Sequence, residues 1–256
     1  MQLKILTGAG MALAMLSVAG CAPMTKVKDV QLDRQAYMNA NFSPDKLNKD
    51  IVRTVSSADP GPLGFQKMVF HLNWQLNDDD KNKMVAFEQE VSYSNAGGSL
   101  VQSRVDDSRN GVTINENYSL SYRGVLSLMS QFMNLNAVAA APVSELKSLQ
   151  HFDAATRPKS AGQLDYQYKL GFAAQLMNFR EGRNTCQVGP DYAASKLNAQ
   201  LAGDAHDLDC VAYNGNGVKV HSTRFAYLDK YGVAIVTHTE YAAGISDATV
   251  ASVEIH

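Results

Sequence analysis

The sequence lacks the short motifs that identify the common enzyme classes. Its 256 residues contain no phosphate-binding P-loop, no dinucleotide fingerprint between a strand and a helix, no H-E-x-x-H zinc motif and no helix-loop-helix calcium loop. The nearest approach to a nucleophile elbow is GISDA at Gly244, but Ala248 replaces the last glycine and a strand-like segment follows. These absences favour a protein that acts by binding, and no cofactor is expected.

An excess of charge of one sign is also missing. Lysine and arginine together number 23, aspartate and glutamate 25, and the formal net charge is −2. Acidic and basic residues are mixed along the chain, so no basic face is offered to nucleic acid and no polybasic patch to anionic lipid. Nucleic acid is therefore not expected as a partner.

The apolar run near the amino terminus is too short to span a membrane. No residue between Ile5 and Gly20 is charged, and Lys4 precedes them. A transmembrane helix needs about 20 predominantly apolar residues, and this run is shorter and diluted by Gly8 and Gly10. A basic start, an apolar middle and small residues at the end are typical of a cleaved secretory signal.

The signal ends on a cysteine. The stretch Val18-Ala19-Gly20-Cys21 resembles the lipobox of bacterial lipoproteins. The resemblance implies cleavage before Cys21, a diacylglycerol on its sulfur and usually an acylated amine, and two or three acyl chains anchor a protein stably in a membrane. In such lipoproteins an aspartate after the cysteine commonly retains the protein at the inner membrane. Ala22 stands there, which implies an outer-membrane lipoprotein that faces the periplasm. An ordinary signal with a chance cysteine is the alternative.

Two other cysteines, Cys186 and Cys210, remain in the exported chain. An even number in an oxidising compartment predicts a disulfide. It would close a loop of about 25 residues, for which the chain-entropy model gives about 3 to 4 kcal/mol. A metal pair or a redox pair stays open as an alternative. Both lack C-x-x-C spacing, although His206 lies four residues before Cys210.

The sequence divides into three parts. Residues 1–20 form the signal peptide, 21–42 the lipidated cysteine with a polar tether, and 43–256 a single β-rich periplasmic domain. The segment SPDKLNKDIVRTVSS predicts a helix with Ser43 as N-cap and Pro44 in its first turn. From Phe65 to Tyr122, four segments alternate apolar and polar residues between short turns, which predicts an antiparallel meander.

The second half is less clear until its end. Residues 123–152 fit helix and strand patterns alike, and we predict a helix there. A second short helix is predicted in PDYAASKLNAQLAG, and strands with NGNG and DKYG turns are predicted after it. The expected fold class is α+β, mainly antiparallel β, as a curved meander sheet or open half-barrel with a few short helices.

The best candidate site lies in the hairpin around DKYG. If that turn sets the register, His221 faces Glu240, and His238 lies diagonally beside them on the same face. Two imidazoles and a carboxylate can form an open zinc site or an acid–base pair with its orienting group. A register slip of one residue would separate the two histidines. The other histidines, His206 among them, show no partner and are interpreted as structural.

Several functions therefore remain open. The first is a non-catalytic envelope module that binds a protein partner, a lipid or a glycan, marked by an apolar groove or exposed apolar patch. A half-barrel with a greasy cavity would be similar, at the level of fold alone, to periplasmic lipoprotein carriers. The second is an anchored hydrolase or metalloenzyme that uses the His221, His238 and Glu240 face. The third is a structural part of a larger envelope assembly.

Overall fold

A computed structural model of the chain describes residues 24–59, 61–78, 83–155, 162–242 and 244–256. Twelve antiparallel strands form a closed barrel, in which each strand pairs with its neighbours in sequence and the last pairs with the first. The strands are β1 Lys67–Asp78, β2 Lys83–Gly97, β3 Leu100–Arg109, β4 Val112–Tyr122, β5 Leu126–Asn134, β6 Ser144–Phe152, β7 Gln163–Phe172, β8 Arg180–Ala193, β9 Asp204–Asn214, β10 Lys219–Leu228, β11 Val233–Tyr241 and β12 Gly244–Ile255.

The mainly antiparallel class is confirmed, but the open half-barrel is wrong. Strand β12 pairs with β1 from Met68 opposite Ile255 to Asp78 opposite Gly244, and this pairing closes the sheet. Two of the strand pairings in the barrel are short. Strands β5 and β6 share two register pairs, at Met129 and Ser130, and β11 meets β12 only near their connection.

In the part of the chain that the structure describes, three α-helices precede the barrel: α1 Val27–Leu32, α2 Arg34–Asn41 and α3 Lys49–Ala58. No helix in the described part of the chain is long and apolar enough to cross a membrane. The helix predicted from Ser43 starts later, because Pro44–Lys46 forms a 3₁₀ turn and the Asn48 side chain accepts the hydrogen bond of the Asp50 amide as N-cap. Asp59 ends α3, just before the glycine and proline that follow.

The connections between strands alternate between the two ends of the barrel. We call the end with the connections after odd-numbered strands the upper end, and the other the lower end. The first described residues lie at the upper end, against the β5–β6 connection. There the Val27 amide donates to the Val138 carbonyl, and the Ala140 amide donates to the Thr25 carbonyl.

This position corrects the tether predicted over residues 21–42. From Val27 onward the segment is helical, and Val27, Val30, Met38 and Phe42 are buried in the main core. The polar residues between them face outward, which hid the helical pattern. The tether interpretation therefore does not hold for residues 27–42.

Two apolar clusters stabilise the barrel. The first joins all three helices to the side chains of β4 to β10, and the second joins β1 and β2 to the β10–β11 hairpin. Strand β10 serves both, because Phe225 and Tyr227 face the first cluster while Ala226 and Leu228 face the second. The helices thus pack where a half-barrel carrier would have an apolar cavity.

The helix predicted over residues 123–152 is wrong, because β5 and β6 occupy this stretch. The connection that enters β5 has positive φ at Arg123 (47°) and Gly124 (73°), the two central residues of a turn in which the Val125 amide donates to the Tyr122 carbonyl. An Arg-Gly pair is not among the common signals for that turn. The helix predicted in PDYAASKLNAQLAG shrinks to the 3₁₀ turn Ala194–Lys196, since β8 continues to Ala193.

A buried ion pair joins three elements at the lower end. Arg123, between β4 and β5, donates from Nε and Nη2 to the carboxylate of Asp59 at 2.6 and 2.9 Å. Its Nη1 also donates to the Gly232 carbonyl in the β10–β11 turn at 2.9 Å. The Tyr122 hydroxyl donates to the same carboxylate at 2.6 Å. We call this group the Asp59–Arg123 clasp.

Candidate functional site

A polar cavity of about 370 Å³ lies between helix α2 and strands β1 to β4. Its walls follow the strand register, so that residues in direct register form rows across the sheet. The rows are Lys67, Ser94 and Gln102; then Val69, Ser92, Arg104 and Tyr118; then His71, Glu90, Asp106 and Glu116. Arg34 and Gln35 of α2 line the opposite side of the cavity.

The third row holds three carboxyl groups balanced by Arg104 of the row beside it. Arg104 Nη2 donates to Glu90 Oε1 at 3.2 Å. Its Nε lies 3.1 Å from Asp106 Oδ1, an ion contact without the angle of a hydrogen bond. His71 Nδ1 lies 4.0 Å from the other oxygen of Glu90. His71 and Glu90 of this row line the cavity, whereas Asp106 and Glu116 continue the row beyond its lining.

Asp106 has an unusual protonation equilibrium. Burial raises the pKa of its carboxyl to about 6, and the neighbouring carboxylates of Glu116 and Glu90 add to that effect, while Arg104 and Arg34 oppose it. Two buried like charges disfavour ionisation of the second. The charge next to the cavity lining therefore changes in the mildly acidic range.

Helix α2 is fixed over the cavity by ion pairing. Arg34 Nε donates to Oε1 of the fully buried Glu116 at 2.7 Å, and the Tyr118 hydroxyl donates to Oε2 at 2.8 Å. The Tyr37 hydroxyl also bonds the side-chain oxygen of Gln131. These contacts hold the helix without filling the space beneath it with apolar side chains.

The cavity suits a ligand that both donates and accepts hydrogen bonds. Guanidinium, ammonium, hydroxyl, amide and carboxylate groups all line it. Polyhydroxylated or zwitterionic molecules match such a wall, whereas an acyl chain would lie against charged groups. The apolar groove expected for a lipid-chain carrier is not found at this position.

The structure does not bring the predicted His221, His238 and Glu240 site together. A register irregularity between Arg224 and Phe225 places His238, instead of Thr237, opposite Arg224, and shifts Ser222 into register with Glu240. This is the one-residue slip that separates the two histidines. The predicted register was wrong because nothing in the hairpin sequence signals the irregularity.

Each of the three residues has another partner. His238 Nδ1 lies 2.7 Å from Asp247 Oδ1. Glu240 accepts from the Ser222 hydroxyl at 2.6 Å and from Lys219 at 2.9 Å. The His221 ring packs 5.1 Å from Tyr241, and burial lowers the pKa of this histidine.

Sequence reasoning missed a different group of potential ligands. Asp191, His206 and Asp229 offer ligand atoms that all lie within 4.8 Å of one another, the one such group among the residues that the structure describes. Asp229 and Asp191 are far apart in sequence. The disulfide between Cys186 and Cys210 sets the β8–β9 register only as far as Val188, and an irregularity after Val188, which no residue type signals, brings Asp191 opposite His206.

The disulfide between Cys186 and Cys210 is present and buried. The two cysteines are direct partners across β8 and β9. Cys21 lies outside the described residues, and its lipidation stays a prediction.

Comparisons with known proteins give a limited result. No protein-family model matches the chain, and no curated protein matches it. Among solved structures, a β-barrel-like protein of the DUF1849 domain from Brucella abortus has 9% identity and a TM-score of 0.44, over 76% of this chain and 99% of that chain. A DUF1329 family protein from Desulfovibrio piger has 13% identity and a TM-score of 0.40, over 80% and 90%.

A third solved structure is described as an outer membrane lipoprotein-sorting protein domain from Vibrio parahaemolyticus. It has 9% identity and a TM-score of 0.40, over 80% of this chain and 91% of that chain. Similarities at this level do not indicate a function for this chain.

Proposed function

We propose that this protein is a lipid-anchored outer-membrane lipoprotein that binds a glycan-type ligand from the periplasm in the cavity beneath α2. The observation that carries this proposal is the charged and polar lining of this cavity. Cys21 supplies the membrane anchor, and the barrel supplies the binding site.

The chemistry of the wall selects a polar ligand. Buried charges reduce the stability of a fold unless they are paired, and apolar packing of similar volume is often at least as stable. The protein nevertheless keeps Arg34, Arg104 and Glu90 in the lining of one cavity and pairs the two arginines with Glu116 and Asp106 next to it. Sugar hydroxyls can donate to the carboxylates and accept from the guanidinium groups. Charge-assisted hydrogen bonds of this kind are the strong ones in proteins.

Three features support the proposed location. The Val18 to Cys21 stretch has the lipobox pattern. The Cys186–Cys210 disulfide suits an oxidising compartment such as the periplasm. Helix α1 starts at Val27, only six residues after Cys21, so the barrel would sit close to the anchor.

Calorimetry with two probes tests the ligand class. A soluble disaccharide-tetrapeptide fragment of peptidoglycan represents the glycan, and palmitate represents a lipid chain. We expect the fragment to bind and the Arg104→Ala variant to bind it about 10 to 100 times more weakly, as expected for a lost hydrogen bond to a charged group. Arg183→Ala is the matched control, because Arg183 pairs with Asp165 outside the cavity.

The outcomes separate clearly. Binding of palmitate without the fragment would favour a lipid carrier and contradict the glycan proposal. Equal weakening by both arginine variants would place the ligand elsewhere. Mass spectrometry of the mature amino terminus tests the anchor separately, and an unmodified Cys21 sulfur would contradict that part of the proposal.

A further inference from the structure

The strongest unassigned cluster lies at the lower end of the barrel. Asp191 comes from the end of β8, His206 from the start of β9, and Asp229 from the β10–β11 turn. A register irregularity between Val188 and Asp191 brings Asp191 opposite His206. Bulges of this kind commonly redirect a side chain near a functional site.

His206 is the unusual member of the cluster. Its side chain is 2% exposed, and neither ring nitrogen has a hydrogen-bond partner. Buried polar groups in native proteins are nearly always hydrogen-bonded, so an unpartnered imidazole needs an explanation. The ring stacks on Tyr227 at 5.1 Å and directs Nδ1 toward the two carboxylates.

The distances fit ligands that share one ion. His206 Nδ1 lies 3.4 Å from Asp229 Oδ1 and 3.8 Å from Asp191 Oδ1. Two ligands at 2.0 to 2.1 Å from a tetrahedral zinc ion lie about 3.3 to 3.4 Å apart. One ion could therefore contact all three side chains after small rotations of the aspartates.

We propose that Asp191, His206 and Asp229 bind one divalent transition-metal ion, with zinc as the best match. A neutral imidazole and two carboxylates carry two negative charges, which a divalent ion balances. The imidazole nitrogen disfavours calcium and magnesium, which take oxygen ligands. Three protein ligands leave a fourth position for water or a ligand atom.

Zinc titration of the metal-stripped mature protein tests the site. We expect one equivalent to bind and the Asp191→Asn variant to bind at least about tenfold more weakly, because an amide oxygen carries no charge. Asp191 is largely exposed, so this variant should fold normally. His206→Asn should abolish binding, and His238→Asn is the control, since His238 contacts only Asp247 among the ion pairs of the described residues.

Cobalt substitution gives a readout that does not depend on affinity. We expect the visible absorption of tetrahedral cobalt in the wild type and its loss in both Asp191→Asn and His206→Asn. Absence of a stoichiometric site in the wild type would overturn the proposal. So would unchanged zinc binding in a folded His206→Asn or Asp191→Asn protein.

A second, independent observation concerns the upper end of the barrel. Every large hydrophobic side chain that the described strands and connections expose lies within three residues of an upper-end connection. The most exposed are Leu176 (87%), Val138 (86%), Met84 (71%) and Met177 (69%). The lower end exposes none among the described residues.

The anchored end of the chain reaches the same place. Thr25 and Val27 hydrogen-bond the β5–β6 connection, and Met24 beside them is largely exposed. Three extended residues span at most about 11 Å, so Cys21 lies no farther than that from Met24. A lipid on Cys21 would therefore hold the upper end against the membrane surface.

From this arrangement we infer that the upper end docks on the lipid bilayer, with Val138, Leu176 and Met177 inserted among the lipids. This inference rests on the proposed lipidation of Cys21. Isolated exposed hydrophobic residues are ordinary, but their confinement to the anchored end is not. Because no polybasic patch is present, the contact is apolar and should form on zwitterionic lipid.

Tryptophan quenching tests the docking. The lipidated protein is incorporated into phosphatidylcholine vesicles with brominated acyl chains, and the wild type with its buried Trp74 gives the baseline. We expect the added emission of Leu176→Trp to be quenched. Gln163→Trp, exposed at the lower end of β7, should show no quenching beyond the baseline.

The possible failures are distinguishable. If Leu176→Trp stays membrane-bound but is not quenched, the docking inference is wrong while the anchor stands. If Gln163→Trp is quenched instead, the barrel is oriented the other way. If no variant associates with vesicles, the anchor itself is contradicted.

Discussion

At the scale of single residues, Asp106 is a carboxyl group next to the cavity whose ionisation is unfavourable. Its carboxyl is largely buried beside Glu90 and Glu116, and its pKa is raised to about 6. A raised pKa in the folded state means that ionisation opposes folding. The ionised carboxylate of Asp106 therefore reduces the stability of the fold at neutral pH.

The Asp106→Asn variant should be more stable than the wild type at neutral pH. The penalty for ionised Asp106 is absent below the unfolded-state value of 3.8, grows as the pH rises and is complete above about 6. Two pKa units correspond to at most about 3 kcal/mol. Urea unfolding at pH 7.5 and pH 4 measures the difference, which should shrink at pH 4.

Asp209→Asn is the control for this prediction. Asp209 is exposed and pairs with the equally exposed Arg224, so its loss should change the free energy of unfolding by less than about 0.5 kcal/mol. If Asp106→Asn is destabilising at pH 7.5, or equal to wild type at both pH values, the raised pKa is contradicted.

The partner of a residue could be predicted from the sequence only where that partner lies nearby in the chain or is the one remaining residue of its type. Cys186 and Cys210 are the only cysteines of the sequence besides the lipobox Cys21, so their pairing followed. The register of His221 and His238 depended on one irregularity in β11, which no residue type signals. His206 was missed because Asp229 reaches it from another hairpin.

At the scale of elements, the strands with clean alternation were predicted well. Met68, Phe70, Leu72 and Trp74 share the buried face of β1, as their period of two indicates. The helix prediction for the β5 segment was wrong because several of its residues suit a helix face and a strand face equally. Its identity is set by pairing with β4 through the Arg123 turn, which lies outside any local pattern.

The Asp59–Arg123 clasp connects α3, the β4–β5 turn and the β10–β11 turn. Burial opposes ionisation of Asp59, but hydrogen bonds from Arg123 and Tyr122 outweigh it and lower the pKa of the carboxyl. Both side chains are 2% exposed. Removing one partner of such a pair leaves an uncompensated buried charge, which costs about 3 to 5 kcal/mol.

We therefore expect Asp59→Asn to lower the free energy of unfolding by about 3 to 5 kcal/mol at neutral pH. Because the folded-state pKa is lowered, the wild type keeps this stabilisation above 3.8 and loses it as the pH falls below that value. Urea denaturation at pH 7 measures the loss. Arg183→Gln, in a more exposed pair with Asp165, should cost less than about 1 kcal/mol; an equal cost would contradict the role of the clasp.

At the scale of the whole molecule, closure of the barrel could not be predicted from local patterns. It depends on pairing between β1 and β12, at opposite ends of the domain. A cavity in this fold was expected to be apolar, because a meander that curls around a helix leaves an apolar inner surface. The helices α1 to α3 fill the apolar part of that surface, and what remains open is the polar wall beneath α2.

The two ends of the molecule also differ in a way that residue types alone do not reveal. Exposed hydrophobic side chains gather at the upper end, where the anchored segment joins the barrel. The Asp59–Arg123 clasp and the Asp191, His206 and Asp229 cluster lie at the lower end. This difference between the two ends can be recognised only when the strand order assigns each connection to one end of the barrel.

The central claim is that the cavity beneath α2 binds a polar glycan-type ligand. Its most direct test follows the ¹⁵Nε resonances of arginine side chains while the protein is titrated with the disaccharide-tetrapeptide fragment. The account predicts saturable shifts for Arg34 and Arg104, which line the cavity, and none for Arg183 and Arg224, which lie outside it. Unchanged Arg34 and Arg104 resonances at saturating fragment would contradict it.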